Sequence, residues 1–373
     1  MNILFADQFS DPGGAQLCLM ALLPEIRSLG WNAHLMAPGE GSLVRCAADF
    51  GFTTSLLPLR GYTNGRKTIR DLFQYSFDLP RMRAALRNAV RLHQIDVVYV
   101  NGPRVLPAAA GLSCPVIFHA HNVVGRPASG LLMRAVRNSG ARVIAASHFV
   151  ARDYTAAEVI YNGADDLFIR AQGGGAHSVR GAPLRVGILG RIAPEKGHLD
   201  FVRAARKVSG ATFHVFGDSL FSRPGYEAEV RALAANAPIE FCGWTSDAGA
   251  ALRSLDILAV PSGRQEAATR VIMEAFSAGT PVVAYRSGGI PELVDHQRTG
   301  LLTKPQPEAL ADALQGLIDA PDLRKSLTAA GREEWRTRFT VQRFQRAVCA
   351  VVEQVAAGSP ATRADRCTTF ASK

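Results

Sequence analysis

Short β-branched runs alternate with longer amphipathic segments throughout this chain, and this alternation limits its fold more than any other feature. Runs separated by helical patterns are typical of βαβ units and parallel sheets. The predicted strands form two series, the first at 2–6, Asn32–Met36, Val97–Asn101, Val116–His119 and Val143–Ala146, the second at 184–189, 212–216, Ile239–Phe241, Ile257–Val260 and Val282–Ala284. The fold class is therefore α/β, with two Rossmann-like domains in tandem.

Glycine and small polar residues replace the periodic pattern between the two series, which indicates a linker. We predict an N-terminal domain over 1–168, a linker over 169–182 and a C-terminal domain over 183–340. A helix over 341–357 is expected to pack back toward the N-terminal domain. Residues 358–373 lack periodicity and are predicted to be disordered.

Several protein classes are disfavoured by the sequence. No apolar run reaches the roughly 18 residues of a membrane span, and the first residues resemble a strand more than a signal peptide. The chain is therefore predicted to be cytoplasmic, with peripheral contact at the inner face of the cell membrane left open. The six cysteines show no C-x-x-C spacing, so neither a disulfide framework nor a zinc site is indicated.

A formal charge of +10 favours anionic partners, among which nucleic acid, anionic lipid and nucleotide-sugar phosphates all qualify. One stretch concentrates this charge and interleaves it with Tyr62, Phe73, Tyr75 and Phe77. Its cations are Arg60, Arg66, Lys67, Arg70, Arg81, Arg83, Arg87 and Arg91, against only Asp71 and Asp78. Either a solvated helix face or a surface that docks on anionic membrane would explain this pattern.

The loop after the first strand of the second series carries two cations between glycines. Arg191 and Lys196 lie between Gly190 and Gly197, at the expected start of a helix. Glycines permit close backbone approach, and the helix N-terminus and both cations favour an anion. A diphosphate site is one interpretation, and solvated surface cations are the other.

Two carboxylates follow a later strand of the same series. Glu266 is expected in a strand-to-helix loop, and Glu274 about two helical turns further on. They could line the same crevice as the two cations, although carboxylates at this spacing also occur on solvated helix faces.

Taken together, these pieces resemble glycosyltransferase family 4, the retaining transferases of the GT-B fold. The resemblance covers roughly residues 1–357 and is most specific over 256–302. The matching segments, in order, are Gly13–Gln16, Ser147–Phe149, Val159–Asp165, Gly190-Arg191 with Glu195–Gly197, Phe216–Asp218, Phe241–Gly243, Asp256–Ser262, Glu266 with Glu274, and Gly288–Glu292. The resemblance implies two Rossmann-like domains that face each other across a cleft.

Site roles also follow from the resemblance. It implies that Arg191 and Lys196 bind the donor diphosphate, and that Glu266 and the backbone of residues 267–269 face the donor sugar. His121 would lie close to that sugar, and His119 is either a weaker candidate or a core histidine. The implied donor-binding residues are Gly13, Gly14, Thr269, Val271 and Glu274, the last through the ribose hydroxyls.

The resemblance further implies retaining transfer by a front-face route, without a metal ion or cofactor, from a nucleotide sugar such as a UDP- or GDP-sugar. The acceptor would be a saccharide or a lipid-linked molecule in bacterial envelope or exopolysaccharide synthesis. No Asp-x-Asp metal motif follows a predicted strand. Ala267, Ala268 and Thr269 replace the family's usual glycine and aromatic residue, which points to altered sugar selection.

Other functions remain as alternatives. A nicotinamide-dependent oxidoreductase would carry G-x-G-x-x-G after a first strand, which is absent. A nucleic-acid-binding protein would carry a recognisable RNA- or DNA-binding motif, and none occurs, so no nucleic-acid partner is expected. A non-catalytic subunit with the GT-B fold and a nucleotide-sugar epimerase stay open, the epimerase disfavoured by the spacing of Glu266 and Glu274.

Overall fold

The computed structural model describes residues 1–11, 13–61, 68–125, 128–168, 183–219, 222–263, 266–267 and 269–358. The predicted linker at 169–182 and the predicted tail beyond Gly358 lie outside these residues. The described residues form two compact units, one of 1–162 with 342–358 and the other of 163–341.

The N-terminal unit is built on a parallel seven-stranded sheet in the order β3-β2-β1-β4-β5-β6-β7. Its strands are β1 (Asn2–Asp7), β2 (Asn32–Ala37), β3 (Thr53–Leu56), β4 (Val97–Asn101), β5 (Val116–Ala120), β6 (Arg142–Ala145) and β7 (Ala157–Val159). Its helices are α1 (Gly14–Ser28), α2 (Ser42–Asp49), α3 (Ile69–Leu92), α4 (Ala128–Ser139) and α5 (His148–Ala151). The central strands β4 and β5 are buried along their whole length and are mostly apolar, because helices cover the sheet.

The last described helix of the chain, α12 (Val341–Ala357), belongs to this unit from Gln342 onward. Phe344, Val348 and Val352 join its hydrophobic core beside Leu19 and Leu22 of α1. The side-chain amide of Gln345 donates to the backbone oxygen of Ala21 at 2.6 Å. Helix α12 thus completes the hydrophobic core that β1 and α1 form.

The C-terminal unit is built on a parallel six-stranded sheet in the order β10-β9-β8-β11-β12-β13. The strands are β8 (Leu184–Leu189), β9 (Ala211–Phe216), β10 (Ile239–Gly243), β11 (Ile257–Val260), β12 (Val282–Tyr285) and β13 (Leu301–Thr303). The helices are α6 (His198–Ala205), α7 (Tyr226–Ala234), α8 (Ala248–Arg253), α9 (Arg270–Ala278), α10 (Pro307–Asp319) and α11 (Pro321–Arg338). Two Rossmann-like sheets in tandem agree with the prediction.

Residues 163–168 lie in the C-terminal unit, whereas the sequence boundary placed them in the N-terminal domain. Ala164 forms a parallel bridge with Thr340, and its oxygen accepts from the indole of Trp335 at 3.0 Å. The amide of Leu167 donates to the hydroxyl of Ser277 at 2.8 Å. These long-range contacts move the boundary to residue 162.

Strand order reverses beside the first strand of each sheet, between β1 and β4 and between β8 and β11. Open α/β sheets bind ligands outside the carboxyl ends of the strands at such a switch point. The loops after these four strands are therefore where a site is expected. Among the described residues, no helix combines the length and apolar character needed to cross a membrane.

Candidate functional site

The loop after β8 begins at Gly190 and ends at Gly197, with a 3₁₀ turn over Pro194–Lys196. Gly197 has φ +77°, and a Cβ there would lie 1.9 Å from the Pro261 oxygen. Only glycine fits this position, because both the conformation and the contact exclude a side chain. His198 behind it is fully buried, and burial lowers its pKa to about 4, so the ring is neutral at physiological pH.

Lys196 and Glu266 form an ion pair across the switch point of the C-terminal unit. The Lys196 Nζ atom lies 2.7 Å from Glu266 Oε2, although the residues are 70 positions apart. Their side chains are 22% and 12% exposed, so the pair is largely shielded, although water can still reach it. The structure thus brings together two predicted site residues from different loops.

A glycine turn after β12 fixes the backbone of Glu266. The amide of Gly289 donates to the Glu266 oxygen at 2.9 Å. Gly288 has φ +54°, and a Cβ there would lie 2.0 Å from that same oxygen. Sequence reasoning noted this glycine turn but did not predict that it holds Glu266 in place.

The other two predicted charged residues are paired within their own segments. Arg191 contacts Glu195 at 3.0 Å, with side chains 32% and 47% exposed. Glu274 contacts Arg270 one helical turn earlier on α9, at 3.2 Å. Sequence reasoning missed Arg270, and its i, i+4 spacing from Glu274 was the available signal. The Arg191–Glu195 pair is accessible and therefore weak, so the charge of Arg191 can be redirected toward a ligand. The Arg270–Glu274 pair is less accessible, with side chains 18% and 16% exposed.

Helix α9 begins beside this cluster. Thr269 is its N-cap and is buried, and its side chain makes no capping hydrogen bond. Val271 lies in the first turn, where backbone amides have no partner inside the helix. These amides and the helix dipole favour a phosphate or carbonyl oxygen. Ala267 is buried, whereas Ala268 lies outside the described residues.

The remaining predicted residues lie in the N-terminal unit. Gly13 is the N-cap of α1 in an extended conformation, and Gly14 begins the helix. His121 follows β5, and its Nε2 atom lies 2.7 Å from Asn101 Oδ1 at the end of β4. His119 is buried, with its ring 3.8 Å from the His121 ring. Burial lowers the pKa of His119 well below its usual value, which supports the core interpretation.

One group of potential metal ligands occurs among the described residues, at His214, Glu240 and Cys242 on β9 and β10. The Arg185 guanidinium lies 3.5 Å from the Nδ1 atom of His214. That nitrogen also contacts Glu240 at 3.1 Å. A permanent cation beside the ligating nitrogen opposes a metal ion, and the cluster holds none of the predicted site residues.

Comparison with known families agrees with this geometry. Residues 12–166 match the model of Glycosyltransferase Family 4. Residues 183–320 match that of Glycosyl transferases group 1. The two matches fall on the N-terminal and C-terminal units and together cover most of the chain.

Curated relatives match over shorter spans. The lipopolysaccharide core biosynthesis glycosyltransferase LpsD of Rhizobium meliloti (strain 1021) is 30% identical over 153 residues, which are 41% of this chain and 44% of that protein. The 2-deoxystreptamine glucosyltransferase of Streptomyces kanamyceticus is 34% identical over 168 residues, 43% of each chain. The matched region thus spans less than half the length of these relatives.

Solved structures match along nearly the whole chain. Anabaena Alr3699/HepE in complex with UDP superposes with a TM-score of 0.78 at 23% identity, covering 95% of this chain and all of that one. Sucrose-phosphate synthase from Thermosynechococcus elongatus gives 0.77 at 19% identity, covering 96% of this chain and 100% of that one. At such identities the likeness concerns the fold. With both family matches and the GT-B architecture in agreement, the chain belongs to glycosyltransferase family 4.

Proposed function

We propose that the protein is a retaining glycosyltransferase that moves a sugar from a nucleotide-sugar donor to a saccharide or lipid-linked acceptor in bacterial envelope or exopolysaccharide synthesis. The Lys196–Glu266 ion pair at the switch point of the C-terminal unit is the observation that carries this proposal. In this pair, a cation that would bind the leaving diphosphate lies 2.7 Å from a carboxylate that would bind sugar hydroxyls.

The charges account for the difficult part of the reaction. Negative charge grows on the diphosphate as the bond to the sugar breaks, and Lys196, Arg191 and the amides at the start of α9 would stabilise it. The donor can exchange Glu195 for its own phosphate as the partner of Arg191, because that pair is accessible. In a front-face route the departing phosphate helps to deprotonate the acceptor, so no carboxylate base is required. Lys196 and Arg191 would offset the charge of the diphosphate in place of a metal ion.

Ligand binding is the first test. Thermal unfolding should be followed with UDP, GDP, ADP and a panel of nucleotide sugars, and both binding and transfer should be measured with and without EDTA. A ligand at 100 times its Kd stabilises the folded state by about 2.7 kcal/mol. A stabilising nucleotide sugar should then yield a product of unchanged anomeric configuration, as seen by NMR.

The outcomes separate the alternatives. Binding without transfer to any acceptor would favour the non-catalytic subunit. Release of a 2-epimerised sugar would favour the epimerase. An inverted product, or transfer that EDTA abolishes, would contradict the proposed mechanism, and binding of no nucleotide at all would contradict the function.

Helix α3 supports the acceptor side of the proposal. Two cations of the basic stretch have partners within the N-terminal unit. Arg60, which precedes α3, pairs with the buried Asp78 at 2.8 Å, and Arg83 of α3 donates to the Pro107 oxygen at 3.1 Å. Asp71 is also buried. Arg66, Lys67 and Tyr62 lie outside the described residues.

The exposed face of α3 combines two kinds of side chain. Ile69, Leu72, Phe73 and Phe77 in its first half are 86%, 62%, 65% and 48% exposed. Arg81, Arg87 and Arg91 are exposed in its second half. Apolar side chains next to a cationic row suit the headgroup region of an anionic bilayer, where each cation contributes about 1 kcal/mol. We propose that this face binds anionic membrane and gives access to a lipid-linked acceptor.

Vesicle co-sedimentation tests this surface. The protein should bind vesicles with anionic lipid, release them as salt rises, and ignore neutral vesicles. R81Q/R87Q should bind more weakly, and so should F73S/F77S. R134Q/R137Q on α4, which removes the same charge from two exposed positions of the same unit, is the matched control. Equal loss in the control would reduce the effect to net charge.

A further inference from the structure

The side chain of Asp7 lies at the carboxyl end of β1 and is fully buried. It accepts hydrogen bonds from Asn101 Nδ2 at 2.5 Å, from Gln16 Nε2 at 2.8 Å and from the Phe9 amide at 2.9 Å. A buried carboxylate costs free energy even when it is hydrogen-bonded. A group this costly at a switch point suggests a role beyond packing.

One arm of the network runs from Asp7 to His121. Asn101 Nδ2 donates both to Asp7 and to the Ala15 oxygen, the latter at 3.2 Å. Two acceptors on that side fix which end of the amide is the nitrogen. Asn101 therefore turns its oxygen to His121, and Nε2 of His121 must donate across the 2.7 Å contact. In the neutral ring this leaves the lone pair on Nδ1.

The other arm runs from Asp7 to the glycine loop. Gln16 Nε2 donates to Asp7, so Gln16 presents its oxygen in the opposite direction. That oxygen accepts from the Gly13 amide at 3.1 Å. Gly13 and His121 lie in different segments of the N-terminal unit, and Asp7 is linked to each through a single amide.

We propose that Asp7 is a positioning residue that fixes the tautomer of His121 and the conformation of the Gly13–Gly14 loop through Asn101 and Gln16. The assignment of His121 to the donor sugar rests on the proposed function. The tautomer itself does not, because it follows from the hydrogen bonds alone. Asp7 is buried behind both groups and acts through them.

Ring-nitrogen NMR of the full chain, labelled with ¹⁵N-histidine, tests the proposal. The His121 signals are assigned by their loss in H121Q. At pH 8 the wild-type ring should carry its proton on Nε2. In D7N the side-chain oxygen should stay with its two donors, Gln16 and the Phe9 amide, so the new nitrogen faces Asn101. The Asn101 amide must then rotate, and it offers its own nitrogen to His121. The ring proton should then move to Nδ1.

A double variant provides the rescue. In D7N/N101D the new amide donates to the new carboxylate, whose second oxygen again accepts from Nε2 of His121. The wild-type tautomer should return, and with it at least half of the kcat that D7N loses, which a loss of packing would not produce. Q16L, which disconnects only the loop arm, should leave the tautomer unchanged and raise the donor KM.

The possible results are distinct. A wild-type ring protonated on Nδ1, or a D7N ring that keeps the Nε2 proton, would overturn the positioning role whether or not the protein transfers sugar. If D7N does not fold, the wild-type and D7N/N101D spectra still decide the tautomer. If the tautomer behaves as expected but no nucleotide sugar is turned over, the proposed function fails and the network stands.

Discussion

The two units place different chemistry at equivalent points of their sheets. In the N-terminal unit, Asp7 at the end of β1 meets Asn101 at the end of β4 in a fully buried contact of 2.5 Å. In the C-terminal unit, Lys196 after β8 meets Glu266 after β11 at 2.7 Å, open to water. Both contacts span a switch point, yet one is sealed by the core and the other can be reached by solvent.

This difference suits the two contacts to different tasks. The buried contact fixes the orientation of side chains, and the exposed contact offers charges that can change partner. Buried amides and a carboxylate hold fixed directions, because each lost hydrogen bond in a dry core is expensive. Partly exposed ion pairs contribute little to the free energy of folding, so each charge can exchange its partner for an incoming ligand. We infer that the N-terminal unit orients His121 and the Gly13–Gly14 loop, and that the C-terminal unit supplies the charges that bind the donor.

Gly197→Ala should have the largest effect, because the new Cβ would lie 1.9 Å from the Pro261 oxygen at φ +77°. We expect a loss of more than about 3 kcal/mol in the free energy of unfolding, measured by thermal or urea unfolding. Gly225 has φ +79° with nothing within 4 Å, so Gly225→Ala is the control and should cost about 1 kcal/mol. Equal losses would show that the backbone conformation matters and the loop contact does not.

The buried contact should show itself in the pH dependence of stability. Burial, which outweighs the hydrogen bonds from Asn101 and backbone amides, raises the pKa of Asp7 to about 6 from an ordinary value of 3.8. Between these values the folded protein keeps a proton that the unfolded chain has lost, so this contribution to stability falls as pH rises from about 4 to 6. The slope is at most about 1.4 kcal/mol per pH unit.

Unfolding by urea at several pH values checks this expectation. From pH 4 to pH 7, the free energy of unfolding of the wild type should fall by roughly 2–3 kcal/mol relative to that of D7N. E266Q alters the ion pair of the other unit and should leave the contribution of Asp7 to this slope unchanged. A difference that stays flat across the window would mean that Asp7 is as easily ionised as an exposed carboxyl.

Removing the cations should weaken ligand binding and spare the fold. Lys196→Ala and Arg191→Ala should each lower transfer at least tenfold, since a charged hydrogen bond contributes about 1.5–3 kcal/mol. Lys207→Ala removes another lysine of the same unit from an exposed pair with Glu308 and should leave transfer unchanged. Steady-state kinetics and melting temperatures report both effects. Near-wild-type turnover in both site variants would contradict the assignment.

Glu274→Ala should have the smallest effect of the four, a roughly three- to tenfold weaker affinity for the nucleoside diphosphate, because its hydrogen bonds to ribose hydroxyls replace bonds to water. Titration calorimetry measures it directly. Glu227→Ala is the control, since Glu227 forms a similar i, i+4 pair with Arg231 on α7. Unchanged affinity in the Glu274 variant would leave it as a partner of Arg270 alone.

The sequence by itself determined the two series of strands and the loops that carry the site. Val97–Asn101 and Ile257–Val260 were predicted with the bounds that the structure shows. Periodicity and glycine positions are local signals, because burial on a sheet repeats along the chain and a positive φ needs no distant partner. For the same reason the two family segments could be recognised from short motifs.

Only the tertiary structure decided which side chains meet. Asp7 looked like an ordinary strand end, yet it contacts Asn101, 94 positions away. The sequence placed Arg60 among the cations of a basic stretch, and the structure pairs it with Asp78. Residues 163–168 belong to the C-terminal unit because they contact Thr340 and Ser277. A side chain's partner depends on which strands and helices become neighbours in space, and that is set by packing of the whole unit, which no local pattern encodes.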